Sequence, residues 1–542
     1  MTVTDDAAVH SASGIPLRSY YGPPVEDQNY AEKVGDPGTF PYTRGKYPKG
    51  YRTGSWIARN LCGLRSASET NERLKSLIQQ GQTGLAIVPD TATQSGFDYD
   101  HPWGSPLVGL QGVPLACVDD MAAMCDGIDL GTVNASFSTF QTPVAAQYVV
   151  NATRRRGYQP EQLRGSIQND PICARITGYD PGNPLDVTMR MAIDTVAYCS
   201  QNLPKWHCTV VNTYILREAG TDAAQEMGIG LATAFHYLDE ARKRGVPIDV
   251  TAPRFALIAG LHNDFFEEIA KLRATRRVWA KYLTERLGAE NERSKAVTIS
   301  VHTCGSTLVA EEPVNNITRS AYQAMAAILG GCRGLDLSCY DEPFYIPSEE
   351  ASTVALRTHA IMLHEQGVAA TADPLGGSYF VEELTDELEA RIWKVIEDID
   401  EHGGVREAHD SGWIQSEIDR TARGIEDGID SGELPVVGRN CFKDAEVIDN
   451  LIPIDFKHEA PNSAQHDWLK AYKDGRDRSE LKATLQRLAD AAKTPEANVF
   501  EEMLIAMEAG ATTGEVTGAI RIGYGEEFDP VGLVEAPVEL KS

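Results

Sequence analysis

The sequence has few of the features that mark exported or membrane-spanning proteins. Its 10 cysteines include no CxxC pair and no zinc-ligand spacing, which favours reduced packing residues over a disulfide framework or a metal site. No apolar run reaches the roughly 18 residues of a membrane-spanning helix, and the N-terminus MTVTDDAAVH lacks the basic and apolar regions of a signal peptide. We therefore expect a soluble cytoplasmic protein without a protein-bound metal.

Positive charge is also scarce. Lys and Arg number 50 against 78 Asp and Glu, which gives a net charge of -28. This balance argues against nucleic acid or an anionic membrane as a partner. An anionic ligand would need a local concentration of basic residues, and Arg44, Lys46, Lys49 and Arg52 form such a segment, although a solvated basic loop explains it equally well.

The order of apolar runs predicts an α/β fold. Residues 1–55 are rich in Gly, Pro and Tyr without a sustained period, which predicts an extended arm. Over residues 56–404, seven or eight strand-like runs alternate with helical patterns, so a (β/α)8 barrel is the simplest prediction and a doubly wound open sheet is the alternative. Residues 405–542 have helical spacing and predict a helical C-terminal extension for subunit contacts.

Three segments carry a resemblance to a known family. PYTRGKYPKGYRTGSWIARNLCG spans residues 41–63, GSIQND spans residues 165–170, and APRFALIAGLHNDFFEEIAKLRATR begins at Ala252. With them the chain resembles the large subunit of adenosylcobalamin-dependent acyl-CoA mutases. The resemblance implies a barrel threaded by the pantetheine arm of CoA and closed at its carboxyl end by the cofactor. It also implies a radical 1,2-rearrangement in which adenosylcobalamin carries the radical and the protein orients and shields it.

The resemblance also implies a partner. Family members with their own cobalamin domain carry a DxHxxG segment, whereas residues 400–405 read DEHGGV and lack its final glycine. We therefore expect His402 to be a surface histidine and a separate small subunit to supply the cobalamin. A heterotetramer of two large and two small subunits would follow from the family.

Roles for residues at strand ends come from the resemblance. Gln168 would face the substrate, Tyr214 would press on the cofactor and the reacting group, and Glu342 would hold the adenosine ribose. Arg254 would meet the substrate or its CoA moiety. The remaining candidates are Thr43, Arg44, Tyr47, Ser136 and Ser166 for the acyl-CoA, and Ser338 and Glu218 for the cofactor. Taken singly, Tyr214 also fits a core aromatic, Glu342 a helix N-terminal carboxylate and Arg254 an ion-pair member.

Hydroxyl side chains are expected along a bore that holds a ligand. The strand-like runs supply six of them: Ser136, Ser138, Thr139, Ser166, Thr209 and Ser300. A barrel packed solid with branched residues would have few hydroxyls at these places. The alternative is that several of them hydrogen-bond the backbone.

Two departures from the family concern the acyl group. Methylmalonyl-CoA mutases have an arginine where Gly178 aligns, and a tyrosine where Leu61 stands. Without that arginine, no bidentate anchor for a free carboxylate remains, so we predict an uncharged acyl chain, branched or larger than isobutyryl. Arg175 is a weak candidate for a displaced anchor. A hydroxyacyl substrate such as 2-hydroxyisobutyryl-CoA is the alternative, with Asp90 as a candidate partner for its hydroxyl.

A third departure concerns the thioester carbonyl. Family members commonly have a histidine directly after the tyrosine that corresponds to Tyr214, and this chain has Ile215. His302 is a candidate replacement, although a lone histidine is as often structural. The loss of that histidine also leaves open a barrel that binds acyl-CoA without catalysis. Retention of Gln168, Tyr214, Arg254 and Glu342 argues against that alternative.

Overall fold

The structure is a computed structural model that describes residues 9–10, 16–17, 30, 34–179, 183–344, 346–443 and 463–541. Part of the predicted arm and residues 444–462 of the predicted extension lie outside this range. The strands are β1 (Val9–His10), β2 (Pro16–Leu17), β3 (Ile57–Arg59), β4 (Leu61–Cys62), β5 (Gly84–Ile87), β6 (Asn134–Phe137), β7 (Arg164–Ile167), β8 (Trp206–His207), β9 (Thr209–Asn212), β10 (Phe255–Leu261), β11 (Thr298–Thr303) and β12 (Gly334–Asp336).

Helices make up most of the rest of the described chain. They are α1 (Ala67–Gln79), α2 (Thr91–Gln94), α3 (Val118–Met124), α4 (Thr142–Val149), α5 (Pro171–Ile176), α6 (Leu185–Asn202), α7 (Thr213–Glu218), α8 (Ala223–Lys243), α9 (Ile248–Thr251), α10 (Phe265–Glu285), α11 (Glu292–Lys295), α12 (Asn316–Leu329), α13 (Glu349–His364), α14 (Tyr379–Glu401), α15 (Val405–Asp410), α16 (Trp413–Ser431), α17 (Ser463–Asp474), α18 (Arg478–Lys493), α19 (Val499–Glu508) and α20 (Thr513–Gly523). None of the described helices is long and apolar enough to cross a bilayer.

The strands from β3 to β12 form a parallel barrel. One sheet has the order β3-β12-β11-β10-β9 and the other β4-β5-β6-β7-β8, and every neighbouring pair in both is parallel. β3 and β4 follow each other within residues 57–62, and β8 and β9 follow each other within residues 206–212. The two sheets are therefore joined at both ends. Backbone hydrogen bonds cross both joins, from Thr83 N–H to the Ala58 carbonyl and from Val210 N–H to the Gln168 carbonyl, each 3.0 Å. The predicted α/β barrel class is confirmed.

Two of the long outer helices, α8 and α10, begin at side-chain caps. Asp222 caps α8 and Asp264 caps α10 by accepting hydrogen bonds from backbone N–H groups of the first turn. Both helices pack on α14. The whole of β10 is buried, as expected for a parallel strand covered on both faces.

The two ends of the described chain pack on this barrel. Residues 35–54 lie along α10, where Arg276 Nε donates to the Tyr42 carbonyl at 2.9 Å. At the other end, α19 packs on α4 and α6, and Arg190 Nη2 donates to the Ala497 carbonyl at 2.7 Å. The C-terminal helices are therefore part of the outer layer around the barrel.

Candidate active site

A cavity of about 340 Å3 lies inside the barrel, and we call it the bore cavity. Alternate residues of each strand face it, because side chains point to opposite faces of a strand in turn. The lining side chains that argue for a ligand are polar: Arg59, Asn134, Ser136, Ser138, Arg164, Ser166, Gln168, Thr298, Ser300 and Asp336. Of the six predicted bore hydroxyls, Thr139 and Thr209 are fully buried outside this lining and Thr209 lies within bonding reach of Asn169.

A buried ion pair that sequence reasoning missed crosses the wall of the bore cavity. Arg59 Nη2 lies 2.7 Å from Asp336 Oδ2, and both side chains are almost fully buried. Arg59 Nη1 also donates to Ser136 Oγ at 2.8 Å, and Ser166 Oγ donates to Ser136 Oγ at 2.9 Å. In the sequence, the only local sign of this ion pair is a charged residue at a lumen-facing position of an otherwise apolar strand. The two residues are 277 positions apart, so local sequence does not show that they pair.

Two aromatic rings stack above the carboxyl end of the strands. The Tyr214 and His302 ring centroids lie 4.3 Å apart at an interplanar angle of 26°. The Ser338 hydroxyl donates to the Thr303 carbonyl at 2.7 Å, so it can accept from His302 Nε2 at 3.4 Å. Burial lowers the pKa of His302 to about 4, and the nearby Arg59 guanidinium adds to this shift. His302 is therefore neutral at pH 7 and has one ring N–H to donate.

Two carboxylates converge beside these rings. Ser306 donates to Glu218 from its N–H at 3.1 Å and from its hydroxyl at 2.9 Å. Burial raises the pKa of Glu342 to about 7, and the neighbouring Glu218 carboxylate adds to this shift. A Cβ at Gly305 would lie 2.7 Å from Glu342 Oε1 and 3.6 Å from Glu218 Oε2. Glycine at 305 therefore leaves the space into which both carboxylates point.

A buried charge network holds the helix that carries Tyr214 and Glu218. Lys271 Nζ donates to Glu226 Oε2 and to the Gly260 carbonyl, both at 2.6 Å, and pairs with Glu268. Thr213, the first residue of α7, donates to Glu226 Oε1 at 3.0 Å. Although burial opposes it, the two carboxylates raise the pKa of Lys271, so the lysine is charged. The network fixes the start of α7 against β10.

Basic side chains gather at the opposite, amino end of the barrel. Lys46 Nζ donates to Thr298 Oγ1 at 2.8 Å. Burial lowers the pKa of Lys46 to about 8, and the neighbouring guanidinium groups of Arg254, Arg293 and Arg333 lower it further. The Arg333 guanidinium carbon lies 5.6 Å from the centre of the Tyr47 ring, and Tyr47 itself lines the bore cavity. Arg164, Lys205 and Arg333 line the cavity at this end, so its entrance is cationic.

Comparison with known proteins agrees with this geometry. The family model described as methylmalonyl-CoA mutase matches residues 10–526. The chain belongs to the methylmalonyl-CoA mutase family. Members of this family are cobalamin-dependent isomerases that act on acyl-CoA thioesters.

Several relatives match most of the chain. It is 35% identical to the 2-hydroxyisobutanoyl-CoA mutase large subunit of Aquincola tertiaricarbonis, over 94% of this chain and 91% of that protein. It is 33% identical to the methylmalonyl-CoA mutase large subunit of Streptomyces virginiae, over 98% of this chain and 73% of that protein. It is 32% identical to human mitochondrial methylmalonyl-CoA mutase, over 96% of this chain and 69% of that protein.

The carboxyl end of the barrel fits the adenosyl group of the family's cofactor. Ribose carries neutral hydroxyl groups, and a carboxylate oxygen accepts hydrogen bonds from hydroxyl donors. Glu218 and Glu342 present such oxygens to one space, which a Cβ at Gly305 would fill. Tyr214 is half-buried; burial raises the pKa of its hydroxyl, and the charges of Glu218 and Glu342 raise it further.

Two predicted CoA contacts have other partners in the structure. Thr43 is fully buried and its hydroxyl accepts from Arg277 Nε at 2.8 Å. Arg44 Nε pairs with Asp373 Oδ2 at 2.9 Å, and neither Thr43 nor Arg44 lines the bore cavity. In the structure these residues fasten the N-terminal segment to the barrel, and their contacts with CoA stay predictions.

Asp90 also has a structural role. It caps α2, where its Oδ1 accepts from Thr93 N–H at 3.0 Å and its Oδ2 accepts from Gly109 N–H at 3.4 Å. The side chain is completely buried. Both oxygens are engaged with the backbone, and a contact between Asp90 and a substrate hydroxyl stays a prediction.

Leu61 and Ile215 occupy different surroundings. Leu61 is the first residue of β4 and is half-buried, and unlike Arg59, two residues earlier, it does not line the bore cavity. Ile215 is 5% exposed and packs into the main hydrophobic core. It supplies no side-chain donor.

Gly178 and Arg175 lie at the end of α5. Gly178 has φ +75°, a left-handed conformation that favours glycine after a helix, and no described atom lies within 4 Å of a Cβ built there. Arg175 donates to the Asn183 carbonyl. This hydrogen bond occupies the Arg175 guanidinium, which argues against Arg175 as a displaced anchor for a substrate carboxylate.

Arg254 lies where its strand begins. It directly precedes β10, at the amino end of the barrel, and donates to the Pro204 carbonyl. The reacting group would lie at the opposite end, beside Tyr214 and His302. This placement favours the CoA moiety over the acyl group as its contact.

Proposed function

We propose that this chain is the large, substrate-binding subunit of an adenosylcobalamin-dependent acyl-CoA mutase. The observation that carries the proposal is the polarity of the bore cavity along its length. Its cationic entrance, lined by Arg333 with Lys46 and Arg254 nearby, suits the phosphates of CoA, and its polar lining suits the pantetheine arm. The acyl group would then reach Tyr214 and His302.

The acyl chain is uncharged in this proposal. Gly178 offers no side chain, Arg175 is bonded to a backbone carbonyl, and Arg59 is paired with Asp336. A free carboxylate would therefore lack a guanidinium partner, and burying it unpaired costs several kcal/mol. Half-buried Leu61 adds an apolar wall, so a branched chain of at least isobutyryl size fits best.

The chain's own residues would bind and orient the thioester. Gln168 lines the cavity near its carboxyl end and can donate to the thioester carbonyl through its amide. His302 can donate its Nε2–H to the same oxygen, because a 3.4 Å contact to Ser338 is long for a hydrogen bond. The Tyr214 ring would exclude water from the acyl group.

Glu218, Glu342 and the ring of Tyr214 would hold the adenosyl end of the cofactor. Adenosylcobalamin supplies the radical chemistry of the 1,2-rearrangement when it is bound. We propose that a separate cobalamin-binding small subunit brings it, in a heterotetramer of two large and two small subunits. The similarity to two proteins named large subunits supports this arrangement.

A hydroxyacyl substrate is the second candidate. It is supported by the 35% identity to a 2-hydroxyisobutanoyl-CoA mutase large subunit and by the aliphatic character of Leu61. The carboxylate of Asp336, rather than that of Asp90, lies in the bore cavity where a hydroxyl could meet it.

The test is product analysis of the assembled enzyme. The chain, its small subunit and adenosylcobalamin are incubated with isobutyryl-, 2-methylbutyryl-, 2-hydroxyisobutyryl- and methylmalonyl-CoA, and products are separated by mass-resolved chromatography. We expect isomerisation of an uncharged thioester and none of methylmalonyl-CoA. A Tyr214→Ala variant should bind the thioester but lose turnover. Binding without isomerisation across the panel would instead support a non-catalytic barrel.

A further inference from the structure

One carboxylate oxygen of Glu226, a fully buried residue of α8, connects the two elements that carry the stacked rings. Its Oε1 accepts a hydrogen bond from the Thr213 hydroxyl at 3.0 Å and another from the Gly260 N–H at 2.8 Å. Thr213 directly precedes Tyr214 on α7. Gly260 lies on β10 and is in register with His302 on β11. The oxygen therefore bonds the residue before one ring and the strand partner of the other.

The charge on Glu226 strengthens these bonds. Lys271 Nζ donates to Glu226 Oε2 and to the Gly260 carbonyl, both at 2.6 Å, and neither side chain of this ion pair is exposed. The Thr213 hydroxyl has one proton and a second acceptor, the Ile258 carbonyl, also at 3.0 Å. The carboxylate is the stronger acceptor, since charge-assisted hydrogen bonds are about twice as strong as neutral ones. The Thr213 hydroxyl therefore donates to Glu226.

Close packing makes the position of α7 sensitive to this bond. A Cβ at Gly230 of α8 would lie 2.2 Å from Thr213 Cγ2, and a Cβ at Gly260 would lie 2.8 Å from Arg217 Cβ. The two glycines therefore allow α7 to pack directly against α8 and β10, without a side chain between them. A change in the contacts of Thr213 is passed to the next residue, Tyr214, because packed helices move as units.

We propose that Glu226 is a positioning residue, which sets the stacking of Tyr214 on His302 through its bonds to Thr213 and Gly260. Glu226 does not line the bore cavity, so it acts through these two partners. The consequence for catalysis rests on the proposed function, in which the stacked rings face the acyl group. The consequence for the geometry of the rings does not depend on that function.

Thr213→Val is the variant that tests this assignment. Valine keeps the methyl group that packs on Gly230 but removes the hydroxyl that donates to Glu226. Thr213→Ser keeps the hydroxyl and removes the methyl group instead, so it should behave as the wild type. Thr195→Val is the matched control, because Thr195 is equally buried and its hydroxyl donates within α6, to the Met191 carbonyl at 2.8 Å.

The first readout is the stack itself, in the full-length chain without thioester or cofactor. Fluorotyrosine replaces tyrosine at position 214, and its fluorine NMR resonance is recorded for each variant. A His302→Leu variant marks the resonance of an unstacked ring, because it removes the ring current of the imidazole. We expect Thr213→Val to shift the resonance towards this reference, and Thr213→Ser and Thr195→Val to keep the wild-type resonance.

Two outcomes of this readout would overturn the proposal. One is a wild-type resonance in folded Thr213→Val, and the other is an equal shift in Thr195→Val. If Thr213→Val fails to fold, Thr213→Ala takes its place and is compared with Thr213→Ser, from which it differs only by the hydroxyl. Equal resonances of the alanine and serine variants would also overturn the proposal.

The second readout is turnover by the assembled enzyme, with the thioester that the wild type isomerises. A displaced ring leaves thioester binding intact but misaligns the reacting group, so in Thr213→Val we expect kcat to fall about tenfold and KM to change less than about twofold. Thr213→Ser should recover kcat. A wild-type kcat in a Thr213→Val enzyme with a shifted resonance would reject the catalytic consequence. If the wild type isomerises no thioester, the proposed function fails, and the fluorine resonance alone decides whether Glu226 positions the stack.

Discussion

Glu342 should make the stability of the free chain depend on pH in a defined window. Its carboxyl has a pKa of about 7 in the folded chain against an ordinary value of 4.5, because burial and the facing Glu218 carboxylate disfavour its charge. Between these two pH values the unfolded chain holds fewer protons than the folded chain. The wild type therefore loses stability as pH rises from about 4.5 through about 7.

A Glu342→Gln variant removes this dependence. Glutamine resembles the protonated carboxyl, so wild type and variant should have similar free energies of unfolding at pH 4.5. At roughly 1.4 kcal/mol per tenfold change in ionisation, a carboxyl shifted to about 7 costs the wild type about 3 kcal/mol at pH 8. We expect the variant to be more stable there by an amount of this order.

Urea denaturation at several pH values measures the difference. The variant's midpoint should equal that of the wild type in acid and exceed it progressively up to pH 8. Glu365→Gln, which changes an exposed carboxylate at the end of α13, should give a constant difference. A Glu342→Gln difference that is flat across the window, or that favours the wild type at pH 8, would refute the reasoning.

Two further predictions concern the ligands. Leu61→Tyr combined with Gly178→Arg should shift preference towards methylmalonyl-CoA in competition kinetics, because the two substitutions restore an aromatic wall and a cation. Unchanged specificity of the folded double variant would reject the pocket assignment. Gly305→Ala should weaken adenosylcobalamin binding to the assembled subunits about tenfold, since its Cβ would displace the Glu342 carboxylate from 2.7 Å, whereas Gly424→Ala, in open space on α16, should not. Equal cofactor affinity for the two alanine variants would exclude Glu342 from the adenosyl site.

Local sequence patterns predict much of the barrel. Runs such as GLAIVP and FALIAG are short, apolar and separated by helical patterns, and a parallel barrel is the arrangement that buries all of them. Polar residues after these runs predicted that Gln168, Tyr214 and His302 lie near one end of the barrel, where the carboxyl ends of parallel strands lie. In the structure Gln168 lines the bore cavity and Tyr214 stacks on His302, while their roles in catalysis stay predictions.

Other assignments required long-range contacts. Thr43 and Arg44 have residue types suited to ligand binding, yet each is held by a partner that packing brings to it. A basic or acidic side chain in a loop has the same sequence signature whether it faces solvent, ligand or protein. The sequence does not distinguish whether Arg44 contacts CoA or fastens the N-terminal segment. The ion pair with Asp373 indicates the fastening role.

The sequence by itself determined the fold class and the family. These follow from local periodicity, from motifs and from the identity of single residues. The tertiary structure alone decided that Arg59 meets Asp336 and that Gly305 opens a space between two carboxylates. The physical reason is register: which side chains touch across a barrel depends on how strands distant in sequence align, and that alignment is set by packing of the whole chain.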